Sequence, residues 1–366
     1  MRFYTPTDIY IEDNSVKNHA KDLARLGTKA LIVTGRHSAK ANGSQADVTA
    51  VLDQVGIPYQ IFDQVEENPS VRTVEKGAAL GKEFGADFVI GIGGGSPLDA
   101  SKAIALLIKN PEEDGSCLYT PKNLKALPIV AVPTTCGTGS ETTAVSVLTR
   151  PELKTKGSIS YKLFPDLALV DGKYLKGASQ KLLVNTTTDA LAHLIESYLH
   201  ANANDFNRMF SSYGLRLYPD IRPYIEGKKE MDDQAREKMI MISTIGGMAI
   251  AQTGTSLPHA LSYAITIQYG VAHGRACGLL QAGYLKQYAA KKPEDVQAVL
   301  AFLGFESIDQ LGAYLAGLLG PQEVSAADLD RYVEDMLHNT GKLATFPFDI
   351  AGEGLRAILT EGLTAR

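Results

Sequence analysis

The sequence predicts an α/β N-terminal domain with a Rossmann-like parallel sheet, followed by an all-α C-terminal domain. Two observations support this prediction. Apolar strand-like segments alternate with helical ones in the first half, and beyond about residue 180 the strand-like runs nearly vanish. We therefore divide the 366 residues into a nucleotide-binding α/β domain over 1–180 and a helical domain over 181–366. A chain of this length suits two domains.

Four segments of the first half are apolar on both faces, as strands are in a parallel sheet covered by helices. They are residues 29–34, 59–62, 87–92 and 128–133. Helical periodicity runs over 71–84, and residues 151–180 are expected to form a hairpin-like excursion and the link between domains. In the second half, apolar residues recur at helical spacing over 188–201, 207–218, 232–253 and 307–319.

Composition excludes several classes of partner. The formal net charge is -5, so no basic excess attracts nucleic acid or an anionic membrane. No apolar run is long enough to span a bilayer, and residues 1–6 lack the apolar core of a signal peptide. Cys117, Cys136 and Cys277 are odd in number and widely spaced, which predicts buried small apolar residues and a cytoplasmic setting.

A glycine-rich turn follows the third predicted strand. Gly93, Gly94 and Gly95 lack a Cβ, so a phosphate can approach the backbone closely. Ser96 is expected to be the N-cap and Pro97 to lie in the first turn of a helix whose N-terminus attracts anions. The pattern is neither GxGxxG nor a Walker P-loop. A tight turn without a ligand is the alternative.

A second loop, over residues 133–141, follows the fourth predicted strand and is rich in hydroxyl groups and glycine. Both loops lie just beyond the carboxyl ends of strands, where open α/β sheets bind ligands. The sequence therefore predicts that the two loops hold a cofactor together, with an ordinary surface turn as the alternative for the second.

The helical half contains a candidate metal site. Asp189 and His193 are one helical turn apart and share a helix face. His259 and His273 lie in apolar surroundings, where an unpaired imidazole would be costly. Three histidines and a carboxylate suit Fe(II), Zn, Mn or Co better than Ca or Mg. For each histidine alone, a hydrogen-bonded core residue is the alternative.

Together these segments resemble the iron-containing (group III) alcohol dehydrogenase family, in the right order and over essentially the whole chain. The segments are Tyr4-Thr5-Pro6-Thr7-Asp8, Glu67-Asn68-Pro69, Gly93-Gly94-Gly95-Ser96-Pro97-Leu98-Asp99, Pro133-Thr134-Thr135, Asp189-Ala190-Leu191-Ala192-His193-Leu194-Ile195-Glu196, His259 and His273. The resemblance implies the dehydroquinate synthase-like fold of that family. It implies as metal ligands Asp189, His193, His259 and His273, and as cofactor-lining residues Gly94, Gly95, Ser96, Asp99, Thr134, Thr135 and Thr138.

The resemblance also implies an activity. A divalent metal, Fe(II) with zinc as the alternative, would lower the pKa of an alcohol oxygen, and hydride would pass between NAD(P) and a small primary alcohol or aldehyde. A homo-oligomer, taken as a dimer, is implied as well. Alternatives with the same fold are a glycerol dehydrogenase, a maleylacetate-type reductase and a dehydroquinate-synthase-like lyase. A non-catalytic nucleotide- or metal-binding protein is disfavoured by the complete ligand set.

Two positions bear on chemistry and cofactor choice. Many members carry another histidine four residues after the third ligand, where this chain has Tyr263, a tentative proton relay or a packing residue. NAD-preferring members commonly carry an Asp after the strand that corresponds to residues 30–34, and it repels a 2′-phosphate. Here Gly35 leaves room, and Arg36, Ser38 and Lys40 offer donors, which predicts NADP over NAD. The alternative is a helix start with solvated basic residues.

Overall fold

The computed structural model describes residues 1–150, 152 and 155–365. The chain folds into two compact units: one is Thr5–Gly177, and the other is Ala178–Arg366 together with Met1–Tyr4. Residues 151, 153 and 154 of the predicted excursion lie outside the described residues. Each unit has its own architecture.

The first unit contains a six-stranded, all-parallel sheet of order β1-β8-β5-β4-β2-β3. Its strands are β1 (Asp8–Ile11), β2 (Ala30–Gly35), β3 (Tyr59–Val65), β4 (Phe88–Gly93), β5 (Ile129–Pro133) and β8 (Leu167–Val170). The four predicted strands are therefore confirmed as β2 to β5. An antiparallel hairpin of β6 (Val147–Arg150) and β7 (Thr155–Ser158) begins before the predicted excursion.

Helices cover both faces of this sheet. They are α1 (Ser15–Asn18), α2 (Ala20–Ala24), α3 (Ser38–Ala41), α4 (Ser44–Val55), α5 (Val71–Phe84) and α6 (Gly95–Lys109). Alternate residues of β2 enter different cores: Leu31 and Val33 pack with residues of α5 and α6, whereas Ala30 and Ile32 pack with residues of α4. Burial on both faces explains why β2 is apolar at nearly every position.

The second unit is helical except for the two-residue strands β9 (Glu323–Val324) and β10 (Thr364–Ala365). Its helices are α7 (Gln180–Leu199), α8 (Asp205–Ile225), α9 (Asp233–Thr253), α10 (Leu257–Tyr269), α11 (His273–Leu279), α12 (Gln281–Ala289), α13 (Pro293–Leu303), α14 (Ile308–Leu319), α15 (Ala326–Leu337), α16 (Thr340–Leu343) and α17 (Gly352–Gly362). None of the helices described is long and apolar enough to cross a membrane.

The start of the chain belongs to the helical unit. The Phe3 ring stacks on Phe210 of α8 with centroids 4.9 Å apart. The backbone N–H of Tyr4 donates to the Gln252 side chain of α9 at 2.9 Å, and the Gln252 amide donates to the Tyr4 carbonyl, also at 2.9 Å. These contacts fix the first residues against two long helices.

Candidate metal centre and cofactor loops

Helix α7 carries Asp189 and His193 on a buried face. The helix begins after Ser179, whose hydroxyl caps it by accepting a hydrogen bond from the Leu182 N–H at 3.2 Å. Asp189 and His193 are only 4% and 5% exposed. A carboxylate this deeply buried requires a cation or several hydrogen-bond donors as partners.

Helix α11 approaches α7 closely because it presents glycine at the contact. A Cβ on Gly274 would lie 2.0 Å from the carbonyl oxygen of Asn185 and 2.8 Å from the Asp189 Cβ. One turn later, a Cβ on Gly278 would lie 2.2 Å from Thr188 Cγ2. All three distances are shorter than real Cβ atoms allow, so the absence of both side chains lets α11 place His273 beside Asp189.

Side-chain donor atoms from three helices converge at this contact. Asp189 Oδ1 lies 3.4 Å from His259 Nε2 and 3.7 Å from His273 Nε2. These atoms and the Cys277 sulfur all lie within 4.8 Å of one another. Asp189 Oδ1 and His259 Nε2 are buried and lack a hydrogen-bond partner among the described residues. Two orphaned electron-pair donors facing one point fit a divalent cation, which would satisfy both.

The fourth predicted ligand, His193, lies against this group. Its ring stacks on the His259 ring with centroids 4.5 Å apart and 21° between the planes. Burial lowers the pKa of His193 to about 4, so its imidazole is neutral at pH 7, the form that binds metals. The structure thus brings together all four residues predicted as ligands, which we call the ligand cluster: Asp189, His193, His259 and His273.

Glu196 orients His259 and was missed by the sequence analysis. His259 Nδ1 donates to Glu196 Oε1 at 2.6 Å, while Glu196 Oε2 accepts from the Ser256 N–H at 2.6 Å. Gln281 donates to Oε1 at 3.1 Å. A proton held on Nδ1 leaves the Nε2 lone pair facing Asp189, as in carboxylate–histidine–metal triads. Seven residues after Asp189, Glu196 falls on the same helix face, a signal available in the sequence.

The sequence predicts Cys277 to be a buried small apolar residue, and its burial is confirmed, as is that of the other two cysteines. Cys277 also lies beside polar groups. Its sulfur lies 3.7 Å from His273 Nε2, and its S–H donates to Ser262 Oγ at 3.2 Å. Cys277 follows His273 by one helical turn, the same spacing as Asp189 and His193, so periodicity alone would have flagged it.

Tyr263 packs against a predicted ligand. Its ring is parallel to that of His273, with centroids 5.4 Å apart and 5° between the planes. Burial raises the pKa of Tyr263 to about 12, so the phenol keeps its proton at pH 7. The packing alternative is therefore observed, and a proton relay through the hydroxyl stays a prediction.

The two loops predicted to hold a cofactor meet in the α/β unit. The Thr134 N–H donates to the Gly93 carbonyl at 2.9 Å. A Cβ on Gly94 would lie 2.9 Å from Thr135 Cγ2, and one on Gly95 would lie 2.7 Å from Thr138 Cγ2. The packing of one loop on the other therefore favours glycine at both positions, independently of any phosphate.

Ser96 and Asp99 make contacts within the protein. The prediction that Ser96 is the N-cap is wrong, because Gly94 has extended backbone angles and α6 begins at Gly95, before the serine. The Ser96 hydroxyl instead accepts from the Asn68 N–H at 3.1 Å. Asp99 Oδ1 accepts from the Ser140 hydroxyl at 2.5 Å, and its Oδ2 accepts from the Val147 N–H at 2.8 Å. Both carboxylate oxygens therefore fasten α6 to the segment after β5.

The residues predicted to choose the cofactor lie where β2 ends. Gly35 is its last residue and pairs with Val65 of β3. Lys40 Nζ lies 2.6 Å from Asp63 Oδ2, in a pair whose side chains are 52% and 39% exposed. The sequence does not predict this partner, because Asp63 belongs to the neighbouring strand β3 and comes near the end of β2 only through the pairing of the two strands.

Comparison with known protein families agrees with this architecture. A profile described as iron-containing alcohol dehydrogenase matches residues 6–172. A second profile, described as the C-terminal part of the Fe-containing alcohol dehydrogenase family, matches residues 183–319. An iron-containing alcohol dehydrogenase from Thermotoga maritima superposes with a TM-score of 0.89 and 36% identity, over 98% of each chain.

Characterised relatives extend the match to activity. An NADPH-dependent butanol dehydrogenase of Clostridium saccharobutylicum is 32% identical over 75% of this chain and 71% of its own. Long-chain-alcohol dehydrogenase 1 of Geobacillus thermodenitrificans is 30% identical over 92% of this chain and 90% of its own. The chain spans 34% of a bifunctional aldehyde-alcohol dehydrogenase of Escherichia coli K12, at 31% identity. The chain belongs to the iron-containing alcohol dehydrogenase family of oxidoreductases.

Proposed function

We propose that the chain exchanges hydride between a nicotinamide cofactor and a small primary alcohol or aldehyde, using one divalent ion held by the ligand cluster. The observation that carries this proposal is the meeting of Asp189 Oδ1 and His259 Nε2, 3.4 Å apart, buried and without hydrogen-bond partners among the described residues. Fe(II) suits the nitrogen and oxygen donors and the family, with zinc as the alternative.

Each part of the chain has a distinct task in this proposal. When bound, the ion would supply Lewis acidity to the oxygen of the alcohol or aldehyde. Glu196 holds the His259 ring with Nε2 available, and the glycines after β4 leave backbone N–H groups open to a pyrophosphate. The cofactor carries the hydride chemistry, so no side chain is needed as a covalent nucleophile.

The test is reconstitution of the metal-depleted protein with Fe(II) or Zn²⁺ without oxygen, followed by a screen of alcohols and aldehydes with NADP and NAD. His259→Ala should remove metal binding and activity together, because it deletes one of the two unpartnered donor atoms that meet at the centre. His338→Ala, an exposed histidine outside the cluster, is the matched control. Full occupancy and turnover in the His259 variant would contradict the site.

We further propose that NADP is preferred over NAD. The exposed Lys40–Asp63 pair contributes about 0–1 kcal/mol, whereas a charge-assisted hydrogen bond to a phosphate contributes about 1.5–3 kcal/mol. A 2′-phosphate can therefore recruit Lys40 despite Asp63. The NADPH-dependent butanol dehydrogenase among the relatives supports the same preference.

Replacing Gly35 with Asp should shift the ratio of kcat/KM toward NAD by about tenfold or more, since a carboxylate repels the 2′-phosphate and bonds the 2′-hydroxyl. Lys40→Met should weaken the binding of NADP and leave the binding of NAD nearly unchanged. A wild-type protein that prefers NAD, or an Asp variant with an unaltered ratio, would show that this turn does not select the cofactor.

A further inference from the structure

Lys102 of α6 is a fully buried lysine that the proposed function does not use. It is 0% exposed, although lysines are rarely buried unless they are paired. Lys102 follows Gly95, the first residue of α6, by about two helical turns, and long side chains of a helix lean toward its N-terminus. Its ammonium contacts residues 134–146, which connect β5 to β6 and which we call the β5–β6 segment. A buried charge therefore joins α6 to this segment.

Three oxygen atoms of the β5–β6 segment accept the protons of the ammonium. Lys102 Nζ donates to the Ser140 carbonyl at 2.8 Å, to Ser140 Oγ at 2.7 Å and to the Val145 carbonyl at 2.8 Å. Asp99 Oδ1, 3.7 Å away, is its charged partner. An ammonium has three N–H donors and no acceptor, so only the protonated lysine satisfies all three oxygens. A neutral amine would turn a lone pair toward one of them.

Ser140 connects the lysine to a residue that is predicted to line the cofactor. The Ser140 N–H donates to Thr138 Oγ1 at 3.3 Å, and Thr138 packs against Gly95 at the start of α6. Gly139, between the two, has a φ of 59°, a left-handed conformation that glycine adopts readily. A displacement of Ser140 would therefore move Thr138 as well.

We propose that Lys102 is a positioning residue for the cofactor, and that its ammonium holds the β5–β6 segment in the conformation that binds the dinucleotide. This inference rests on the proposed function, because it assumes that the segment binds a nicotinamide cofactor. The cofactor should in turn favour the protonated lysine, because its pyrophosphate is an anion and an ordered segment keeps the three acceptors in place. Cofactor binding and protonation of Lys102 are therefore coupled, and each promotes the other.

The coupling gives cofactor affinity a dependence on pH. Burial lowers the pKa of Lys102 to about 8, although the charges of Asp99 and Glu141 oppose this shift. Lys156 of β7 acts on the pair through Asp99, whose pKa it lowers. At pH 7 the lysine is protonated and the cofactor binds at full strength. At higher pH the free protein loses this proton, and affinity should fall by up to about tenfold per pH unit for one linked proton.

Titration of the full chain with NADPH, followed by the fluorescence of the cofactor, measures this dependence. A phosphate monoester loses its second proton near about pH 6, so NADPH itself does not titrate at alkaline pH. Wild-type affinity should be constant up to about pH 8 and then fall. In weakly buffered solution near that pH, an indicator dye should show that binding takes up a fraction of a proton. Lys82→Met, which removes a lysine of α5 that donates to the Pro111 carbonyl, should retain both effects.

Lys102→Met keeps much of the length of the side chain and removes the charge. It should bind NADPH about tenfold or more weakly at pH 7, because charge-assisted hydrogen bonds are lost. Its KM for the cofactor should rise while kcat at saturating cofactor changes little, and it should show neither the alkaline fall in affinity nor proton uptake. The wild-type measurements need no substitution, so they test the inference even if this variant does not fold.

Two results would overturn the role of Lys102 and leave the cofactor site standing. One is a wild-type affinity for NADPH that does not change between about pH 7 and 10. The other is proton uptake that persists in Lys102→Met. Failure of the wild type to bind NADPH at any pH would overturn the proposed function instead.

Discussion

Glu196 lies outside the ligand cluster, but it orients one of the predicted ligands, His259. It is fully buried, with 0% exposure, and its carboxylate accepts hydrogen bonds from His259, Ser256 and Gln281. Burial raises the pKa of Glu196, but the interaction with His259 outweighs this and lowers it overall, so the carboxylate is ionised. That charge strengthens the imidazole as a donor at Nε2.

We expect Glu196→Gln to weaken metal binding about 10- to 100-fold, because the amide has nearly the same shape but no charge and holds the Nδ1 proton less firmly. Competition of Zn²⁺ between the protein and a chelator measures this loss. Asp295→Asn is the matched control, since Asp295 is a largely buried carboxylate of the same unit bonded to Arg208, away from the cluster. Equal metal affinity in the Glu196 variant and the wild type would refute the positioning role.

At the scale of elements, the metal centre depends on the spacing of two helices. Gly274 packs against the backbone of α7. In Gly274→Ala, the added methyl group would overlap the carbonyl oxygen of Asn185. We expect a loss of about 1–3 kcal/mol in the free energy of unfolding, as in other overpacked contacts, and weaker metal binding although every donor is intact. Chemical denaturation and metal titration measure the two effects.

The control for that substitution is Gly317→Ala in α14. Gly317 is exposed, and a Cβ there meets no atom of the described residues within 4 Å. Alanine should therefore stabilise the protein by about 0.5–1 kcal/mol without altering metal affinity. If Gly274→Ala behaved like Gly317→Ala, the close approach of α11 to α7 would not be what builds the site.

The glycine turn after β4 has two explanations that one double variant separates. Thr135→Ala removes the atoms nearest to a Cβ on Gly94 and leaves the Thr135 Cβ at 3.6 Å, an ordinary contact. In that background, Gly94→Ala should fold as stably as Thr135→Ala alone. If the turn holds the pyrophosphate, the variant should bind the cofactor more weakly, because the methyl group would take up space at the phosphate-binding turn. Unchanged cofactor titration in the double variant would mean that the glycine serves only loop packing.

Some elements could be predicted from the sequence and others could not, for physical reasons. The central strands β2, β4 and β5 are buried at nearly every residue, so their apolar runs were unambiguous. The edge strand β1, partly exposed, gave no such signal. Asp189 and His193 share a face of α7, so helical periodicity was enough to predict them as a pair of ligands. Glu196 and Cys277 lie at helical spacing from the predicted ligands Asp189 and His273, but their contacts with His259 and Ser262 come from α10, and only the structure shows them.

At the scale of the whole molecule, the ligand cluster belongs entirely to the helical unit. A ligand at 100 times its dissociation constant stabilises the folded state by about 2.7 kcal/mol. We therefore expect metal to slow amide hydrogen exchange in α7, α10 and α11 about 100-fold wherever exchange requires opening of the site. Mass spectrometry of the full chain, with and without a chelator, compares these peptides with those of β2 and β4. Equal slowing in the sheet would argue against a site confined to the helices.

The attachment of Met1–Tyr4 to the helical unit has a consequence for biosynthesis. Residues 1–4 are synthesised well before their partners, because Phe3 must wait for Phe210 and Tyr4 for Gln252. The sheet between them can form while translation continues, since domains fold as units from the N-terminus. Met1–Tyr4 therefore cannot make these contacts until α9 has been synthesised, and substitutions in these four residues would affect the helical half of the protein.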